Sequence, residues 1–206
     1  MFGPEFLQRA VIWGPVILLS LTVHEFFHAW AAYKFGDNTA ARMGRLTLNP
    51  LAHLELFGTI VMVMSQFTFG WAKPVPVNLS NTRNPRVADI WVSAAGPLSN
   101  IGMALIAGII YQVVGTTALE GQQPLTQILT AGVYINITLA VFNMIPIFPL
   151  DGSHILRNLL PPQGKLAMDR FDRFAPIVLI LLIVTRVTWV VLGPIVFFMA
   201  GLFMGL

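Results

Sequence analysis

Two histidines and a glutamate lie within the five consecutive residues His24-Glu25-Phe26-Phe27-His28. A spacing of four residues places both imidazoles on one face of a helix, where they can bind the same Zn²⁺ ion. The Glu25 carboxylate lies beside them and can accept a proton from a water molecule. The pattern therefore predicts a zinc site with Glu25 as general base. The alternative is a packed cluster of helix-capping or interhelical hydrogen bonds.

Asp151 is the candidate for the third ligand that a catalytic zinc ion usually takes from the protein. It is the only acidic residue near the end of another long apolar stretch. His28 lies six residues before Lys34, and Asp151 lies six residues before Arg157, so each precedes a basic flank by the same distance. We therefore expect both residues at a similar depth on one side of a membrane. A plain turn at Asp151 is the alternative.

The composition indicates which elements position these residues. The chain has 206 residues, of which 56% are hydrophobic and 10% charged, with a mean hydropathy of +0.74. Soluble domains carry about 25% charged residues. Four apolar stretches approach the roughly 20 residues that a transmembrane helix needs, namely Val11–Trp30, Ile90–Val114, Leu125–Ile147 and Phe174–Leu192. The prediction is an all-α polytopic membrane protein, and the net charge of +3 gives no indication of nucleic-acid binding.

Shorter segments complete the expected fold. Leu56–Trp71 is marginal for a full crossing, so a re-entrant segment is predicted there. Alternation over residues 41–49 favours a short strand, and the proline-rich residues 71–86 favour extended backbone near the active site. An apolar C-terminal tail follows Gly193. We expect one domain over 1–206, with a core at 11–160 and C-terminal helices at 174–206.

The basic residues predict an orientation. They cluster after the first span, before the second and after the third, whereas the Gly115–Pro124 turn has none. By the positive-inside rule the three clusters are cytosolic. The expectation is a multi-pass protein of a prokaryotic cytoplasmic membrane, with its active site accessible from the cytosol. The clusters comprise Lys34, Arg42, Arg45; Lys73, Arg83, Arg86; and Arg157, Lys165, Arg170, Arg173.

Five motifs, in order from Leu21 to about Leu160, resemble those of the site-2 proteases, the intramembrane zinc metalloproteases. They are HEFFH, NPLAHLELFGT, GWAKPVPVN, Gly96-Pro97-Leu98-Ser99-Asn100 and the segment Asn143-Met-Ile-Pro-Ile-Phe-Pro-Leu-Asp151-Gly152. The chain is most similar to the minimal form of that family, which has neither a PDZ domain nor a nucleotide-sensing domain.

The resemblance implies further roles. Asn143 is expected to contact the substrate backbone or stabilise an oxyanion, and Asn100 either shares that role or joins helices through hydrogen bonds. The KPVPVN segment is expected to form an edge strand that pairs with an unwound substrate. His53 could be a gate, a partner of a ligand, an extra metal contact or a satisfied interfacial histidine. His154 is expected to hydrogen-bond near Asp151.

The expected activity is hydrolysis of peptide bonds in transmembrane or membrane-proximal segments of other proteins, known as regulated intramembrane proteolysis, with one Zn²⁺ per chain. The expected partners are a transmembrane protein substrate and the lipid bilayer, and the oligomeric state is left open. Two other functions stay open at this point. One is a zinc transporter or channel that uses the same ligands for transit, and the other is a metal-binding pseudoprotease that holds client helices.

Overall fold

A computed structural model describes residues 3–117 and 123–206 and contains only helices, turns and irregular segments there. The middle of the predicted turn Gly115–Pro124 lies outside the described residues. Two short 3-10 turns lie at Pro50–Ala52 and Leu79–Asn81. The α-helices are α1 Pro4–Lys34, α2 Thr39–Arg42, α3 Leu56–Met64, α4 Pro85–Thr117, α5 Gln123–Asn143, α6 Asp151–Leu159, α7 Pro162–Asp172, α8 Ala175–Val184 and α9 Val187–Met204.

Four of these helices are long and apolar enough to cross a membrane, which confirms the multi-pass helical prediction. They are Phe6–Lys34, Pro85–Val114, Pro124–Asn143 and Val187–Met204. The first three coincide with the apolar stretches of the sequence. The fourth was predicted at Phe174–Leu192, and that position was wrong.

Between Ala175 and Met204 the boundary between two helices lies at a different residue from the one that the sequence indicated. Arg186 has a left-handed backbone (φ 60°) and separates α8 from α9. Pro194 lies inside α9, as transmembrane helices often tolerate. The boundary between the two helices is therefore Arg186, a charged residue within an apolar stretch. The expected C-terminal tail is part of the fourth candidate span.

The predicted short strands are not found in the part of the chain that the structure describes. Residues 39–42 form α2, and residues 72–78 are extended without a partner strand. A strand needs backbone groups of a second strand opposite its own. Here the N–H groups of Lys73, Val75 and Asn78 donate instead to the His53 carbonyl, Glu25 and Asp37.

α3 begins a compact hairpin over residues 56–71. With nine residues it is about 13 Å long, compared with about 30 Å for the hydrocarbon layer, so it cannot cross. Gln66 and Phe67 both have positive φ and reverse the chain. The returning chain packs closely: a Cβ on Gly58 would lie 2.2 Å from the Trp71 carbonyl oxygen. The predicted re-entrant path through the membrane is not tested by this geometry.

α4 is the central helix and packs against α1, α5, α6 and α9. Small side chains allow the close approach between α1 and α4, where Ala31 and Ala32 pack on Val92. On another part of α4, a Cβ on Gly108 would lie 2.5 Å from the Phe203 carbonyl oxygen of α9. This close packing places the His24–His28 face of α1 directly against α4.

Candidate metal centre

Three candidate ligands predicted from the sequence converge in the structure. The Nε2 atoms of His24 and His28 lie 2.9 Å apart, and the Asp151 Oδ2 lies 3.3 Å and 3.4 Å from them. Ligands at about 2.0–2.1 Å in a tetrahedral zinc site lie about 3.3 Å from one another. The triangle therefore has the dimensions of three corners of a zinc tetrahedron, the arrangement in which catalytic zinc sites leave the fourth corner to water or substrate.

The hydrogen bonds of the two histidines point their lone pairs into this triangle. His28 Nδ1 lies 2.6 Å from the Val92 carbonyl oxygen, which can only accept a hydrogen bond. His24 Nδ1 lies 2.6 Å from the Asn100 Oδ1. Both Nδ1 atoms are therefore donors, and in neutral rings both Nε2 atoms carry lone pairs. Two lone pairs 2.9 Å apart repel each other unless a proton or a metal ion lies between them.

The Asp151 carboxylate fits the same interpretation. Its Oδ2 is buried and has no hydrogen-bond partner among the described residues. A carboxylate oxygen that lacks a hydrogen bond and faces two imidazole nitrogens belongs to the donor set that zinc prefers.

The turn before α6 places Asp151. Asp151 is the first residue of α6, and Leu150 precedes it with extended backbone. A Cβ on Gly152 would lie 2.2 Å from the Met144 carbonyl oxygen, so only glycine fits against the chain that leaves α5. The Leu150-Asp151-Gly152 sequence is thus a helix start packed on the preceding turn, which aims the carboxylate at α1.

One face of α4 contacts the whole candidate site while contributing no ligand to it. Asp89, Val92, Gly96 and Asn100 follow the three- and four-residue spacing of a single helix face. A Cβ on Gly96 would lie 2.4 Å from the Nε2 of His28, so the imidazoles rest directly on the α4 backbone. α4 therefore sets the position and the tautomer of the α1 histidines.

Glu25 lies on α1 next to the candidate ligands. Its Oε2 accepts a hydrogen bond of 2.9 Å from the backbone N–H of Val75. The side chain is partly exposed, and its other carboxylate oxygen is not bound to Val75.

Asn136 holds the Asn100 side chain in place, and the sequence did not lead us to expect this role. The Nδ2 of Asn100 donates to the Asn136 Oδ1 at 2.8 Å and to the Ser20 carbonyl at 3.2 Å. The Nδ2 of Asn136 donates in turn to the Gly132 carbonyl at 2.8 Å. These bonds fix which way the Asn100 amide faces, and so present its oxygen to His24. A polar residue inside the apolar α5 was the signal that could have revealed it.

Replacing Asn100 with alanine should weaken zinc binding by about 10- to 100-fold, because His24 would lose the acceptor that fixes its ring. Zinc affinity of the purified protein, measured by competition with a chelator, checks this expectation. Ser99→Ala is the matched control, since the Ser99 hydroxyl bonds only within its own helix, to the Gly96 carbonyl. Equal affinities of the two variants would contradict the assigned role.

Two other predicted residues, Asn143 and His154, do not belong to the three-ligand group. Asn143 donates from its Nδ2 to the Leu139 carbonyl of its own helix, at 2.9 Å. His154 faces Asp89 on α4, with 3.5 Å between its Nδ1 and the Asp89 Oδ1, and this hydrogen-bond partner raises the pKa of His154. The predicted roles of Asn143 and His154 therefore stay predictions.

His53 is almost fully buried, at 2% exposure. Its Nε2 lies 2.8 Å from the Thr47 carbonyl oxygen, which makes Nε2 a donor, and its carbonyl accepts from Lys73. Its Nδ1 has no hydrogen-bond partner within the protein. His53 therefore links two loops beside the site and lies outside the three-ligand group.

The fold and site define a class: a multi-pass helical protein with a zinc-type donor triad beside a glutamate. A family model for peptidase family M50 matches residues 112–185. The chain is 40% identical over 182 residues to "Putative zinc metalloprotease YwhC" of Bacillus subtilis, covering 86% of this chain and 82% of that protein. The chain belongs to peptidase family M50, the site-2 protease family, which confirms the resemblance drawn from its motifs.

More distant relatives bear similar names. The chain is 28% identical to Rip2 of Mycolicibacterium smegmatis, over 82% of this chain and 64% of Rip2. It is 23% identical to zinc metalloprotease MJ0392 of Methanocaldococcus jannaschii, over 78% of this chain and 38% of that protein. The chain thus spans less than two thirds of both. No solved structure matched the chain significantly. The chain is a zinc metalloprotease of membranes, as predicted.

Proposed function

We propose that this metalloprotease hydrolyses peptide bonds in transmembrane or membrane-proximal segments of other membrane proteins. His24, His28 and Asp151 hold the zinc ion, and Glu25 is the general base. The observation that supports this most strongly is the triangle of three donor atoms, 2.9–3.4 Å apart, beside a glutamate in a helix long and apolar enough to cross a membrane. Ionisable groups at such depth are costly and mark functional sites.

The zinc ion supplies Lewis-acid chemistry at this site, polarising a carbonyl and making water more acidic. Glu25 accepts the proton from the attacking water and delivers it to the departing amine. The Asn143 Nδ2 carries two N–H donors, and one of them bonds to the Leu139 carbonyl. The second N–H is the group that we propose stabilises an oxyanion.

The extended residues 72–78 are the proposed place for the substrate backbone. Neighbouring residues of an extended segment point their backbone groups to opposite sides. Lys73 and Val75 bond to the protein, so Pro74 and Pro76 face away, with carbonyl acceptors and no N–H donors. A substrate strand on that edge would donate N–H groups and receive none in return.

We further propose that the site opens to the cytosol and that residues 56–71 re-enter the membrane without crossing it. The basic clusters supply the first proposal, through the positive-inside rule. The short α3 and its closely packed return support the second. We also propose a single domain over 1–206.

The orientation can be tested with single-cysteine variants in sealed vesicles that keep the orientation of the cell membrane. Labelling of a cysteine at residue 48 by a reagent that reaches only the non-cytosolic face would contradict the proposed orientation.

Removing the metal tests the proposed activity directly. Purified protein in liposomes should cleave a synthetic transmembrane peptide, lose that activity completely with a zinc chelator, and regain it when zinc is added back. The chelated protein should keep its helix content in circular dichroism, because most of the packing lies outside the metal centre. Cleavage that continues in the presence of the chelator would contradict zinc catalysis. If the protein does not cleave the peptide but carries zinc into the vesicles, the transporter alternative is favoured.

A further inference from the structure

The extended segment Lys73–Asn78 is attached to the loops around α1 at its first residue. The Arg45 Nη2 donates to the Lys73 carbonyl oxygen at 2.6 Å, and the Lys73 N–H donates to the His53 carbonyl oxygen at 2.8 Å. Arg45 is buried, with 7% exposure. A buried guanidinium that binds a backbone carbonyl fixes the position of the chain there.

Asp37 attaches the other end of the segment. Its Oδ2 accepts from the Asn78 N–H at 2.6 Å, and its Oδ1 accepts from the Asn81 Nδ2 at 2.9 Å. Asp37 is fully buried. Burial raises the pKa of Asp37, but the hydrogen bonds from Thr39, Asn81 and the backbone outweigh burial and keep it below its ordinary value. An ionised aspartate therefore holds Asn78 close to the end of α1.

Between these two attachments, one backbone N–H meets the catalytic carboxylate. Val75 donates to the Glu25 Oε2 at 2.9 Å. Pro74 and Pro76, on either side, have no N–H groups and have their φ angles fixed near −65°. Val75 is thus the single donor in a stiff three-residue stretch that is anchored at both ends.

We propose that the Val75 N–H is a positioning group for Glu25, held in place by Arg45 and Asp37. This inference rests on the proposed function, in which Glu25 is the general base. A free glutamate side chain samples several rotamers, most of which point its carboxylate away from the reacting water. Binding one oxygen to Val75 selects a single orientation and leaves the other oxygen to accept the proton.

The test removes this one hydrogen bond by substituting Val75 with proline. The flanking prolines already impose the conformation that a third proline requires, so the segment should stay extended. Val75→Ala is the matched control, because it loses the side chain and keeps the N–H. For cleavage of a synthetic transmembrane peptide, we expect kcat of Val75→Pro to fall about 10- to 100-fold below that of Val75→Ala. KM should change less than about twofold, with one zinc bound.

Equal kcat values for the proline and alanine variants would overturn the proposal. So would a loss confined to KM, which would indicate a substrate contact in place of positioning. The Glu25→Gln protein distinguishes failure of this inference from failure of the proposed function. If Glu25→Gln hydrolyses the peptide as fast as wild type, Glu25 is not the general base and the proposed function fails in that role. If Glu25→Gln is strongly impaired while Val75→Pro matches Val75→Ala, only the role of Val75 fails.

Hydrogen exchange gives a second measurement that does not depend on the proline variant folding. The Val75 amide should exchange about tenfold faster or more in Glu25→Ala than in wild type, because it loses its acceptor. The Lys73 amide, which bonds to the His53 carbonyl, serves as the internal control and should change less than about twofold. Unchanged exchange at Val75 would overturn the proposal.

Discussion

A Glu25→Gln protein is expected to bind one zinc ion as the wild type does and to hydrolyse peptides about 10²- to 10⁴-fold more slowly. The amide cannot take a proton from water at neutral pH, whereas its oxygen can still accept the hydrogen bond that Val75 gives to Glu25. The substitution therefore removes the base and preserves the local structure. Turnover of a transmembrane peptide and zinc content, measured on the same preparation, check both halves of the expectation.

Glu55→Gln provides the matched control. Glu55 caps α3 by accepting from the Gly58 N–H and has no contact with the candidate ligands. We expect its activity within about twofold of wild type, since a neutral oxygen can replace a cap acceptor. Undiminished hydrolysis by Glu25→Gln, with Glu55→Gln also active, would show that Glu25 is not the base. A Glu25→Gln protein that lost its zinc would show that the carboxylate instead holds the metal site together.

Gly96→Ala is expected to weaken zinc binding by about 100-fold or more, although the substitution adds only one methyl group. That methyl would lie 2.4 Å from the Nε2 of His28 and 2.6 Å from the Cε1 of His24. Real contacts are never that short, so at least one imidazole must leave its position. Alanine is a better helix former than glycine, so α4 itself should not be weakened. Chelator competition measures the loss of zinc affinity.

Gly102→Ala controls for the change of helix propensity. Gly102 lies on the same helix, and a Cβ there would have no neighbour within 4 Å. We expect wild-type zinc affinity and unchanged or slightly higher thermal stability, because the added methyl group meets no neighbour and alanine favours the helix. Wild-type zinc affinity in Gly96→Ala would contradict the zinc site proposed here, because the two imidazoles would then bind metal in another arrangement.

The candidate ligands could be found from the sequence because each carries a signal that does not depend on packing. His24 and His28 follow helix periodicity, which is local. Asp151 follows from membrane depth, since equal distances to basic flanks set equal heights in the bilayer. The bilayer thus gives information on the height of each residue that the sequence of a soluble protein would not give. The structure brings the three side chains close enough to hold one metal ion.

The wrongly predicted strands, and the contacts that were not predicted, concern partners that sequence spacing does not specify. An alternating pattern predicts which residues share a face and gives no information on whether a second strand lies opposite, so residues 72–78 are extended without a sheet. His154 pairs with Asp89, 65 positions earlier in the chain, and the Gly96 contact depends on how closely α1 approaches α4. Tertiary packing determines these contacts.

The face of α4 that runs from Asp89 to Asn100 limits which helix movements the candidate metal centre can tolerate. His24 and His28 depend on this face for their orientation, and Asp151 belongs to a helix that also packs on α4. Separating α1 from α4 would remove the groups that orient both imidazoles. If the proposed function is right, a substrate must therefore be admitted while α1 and α4 remain in contact.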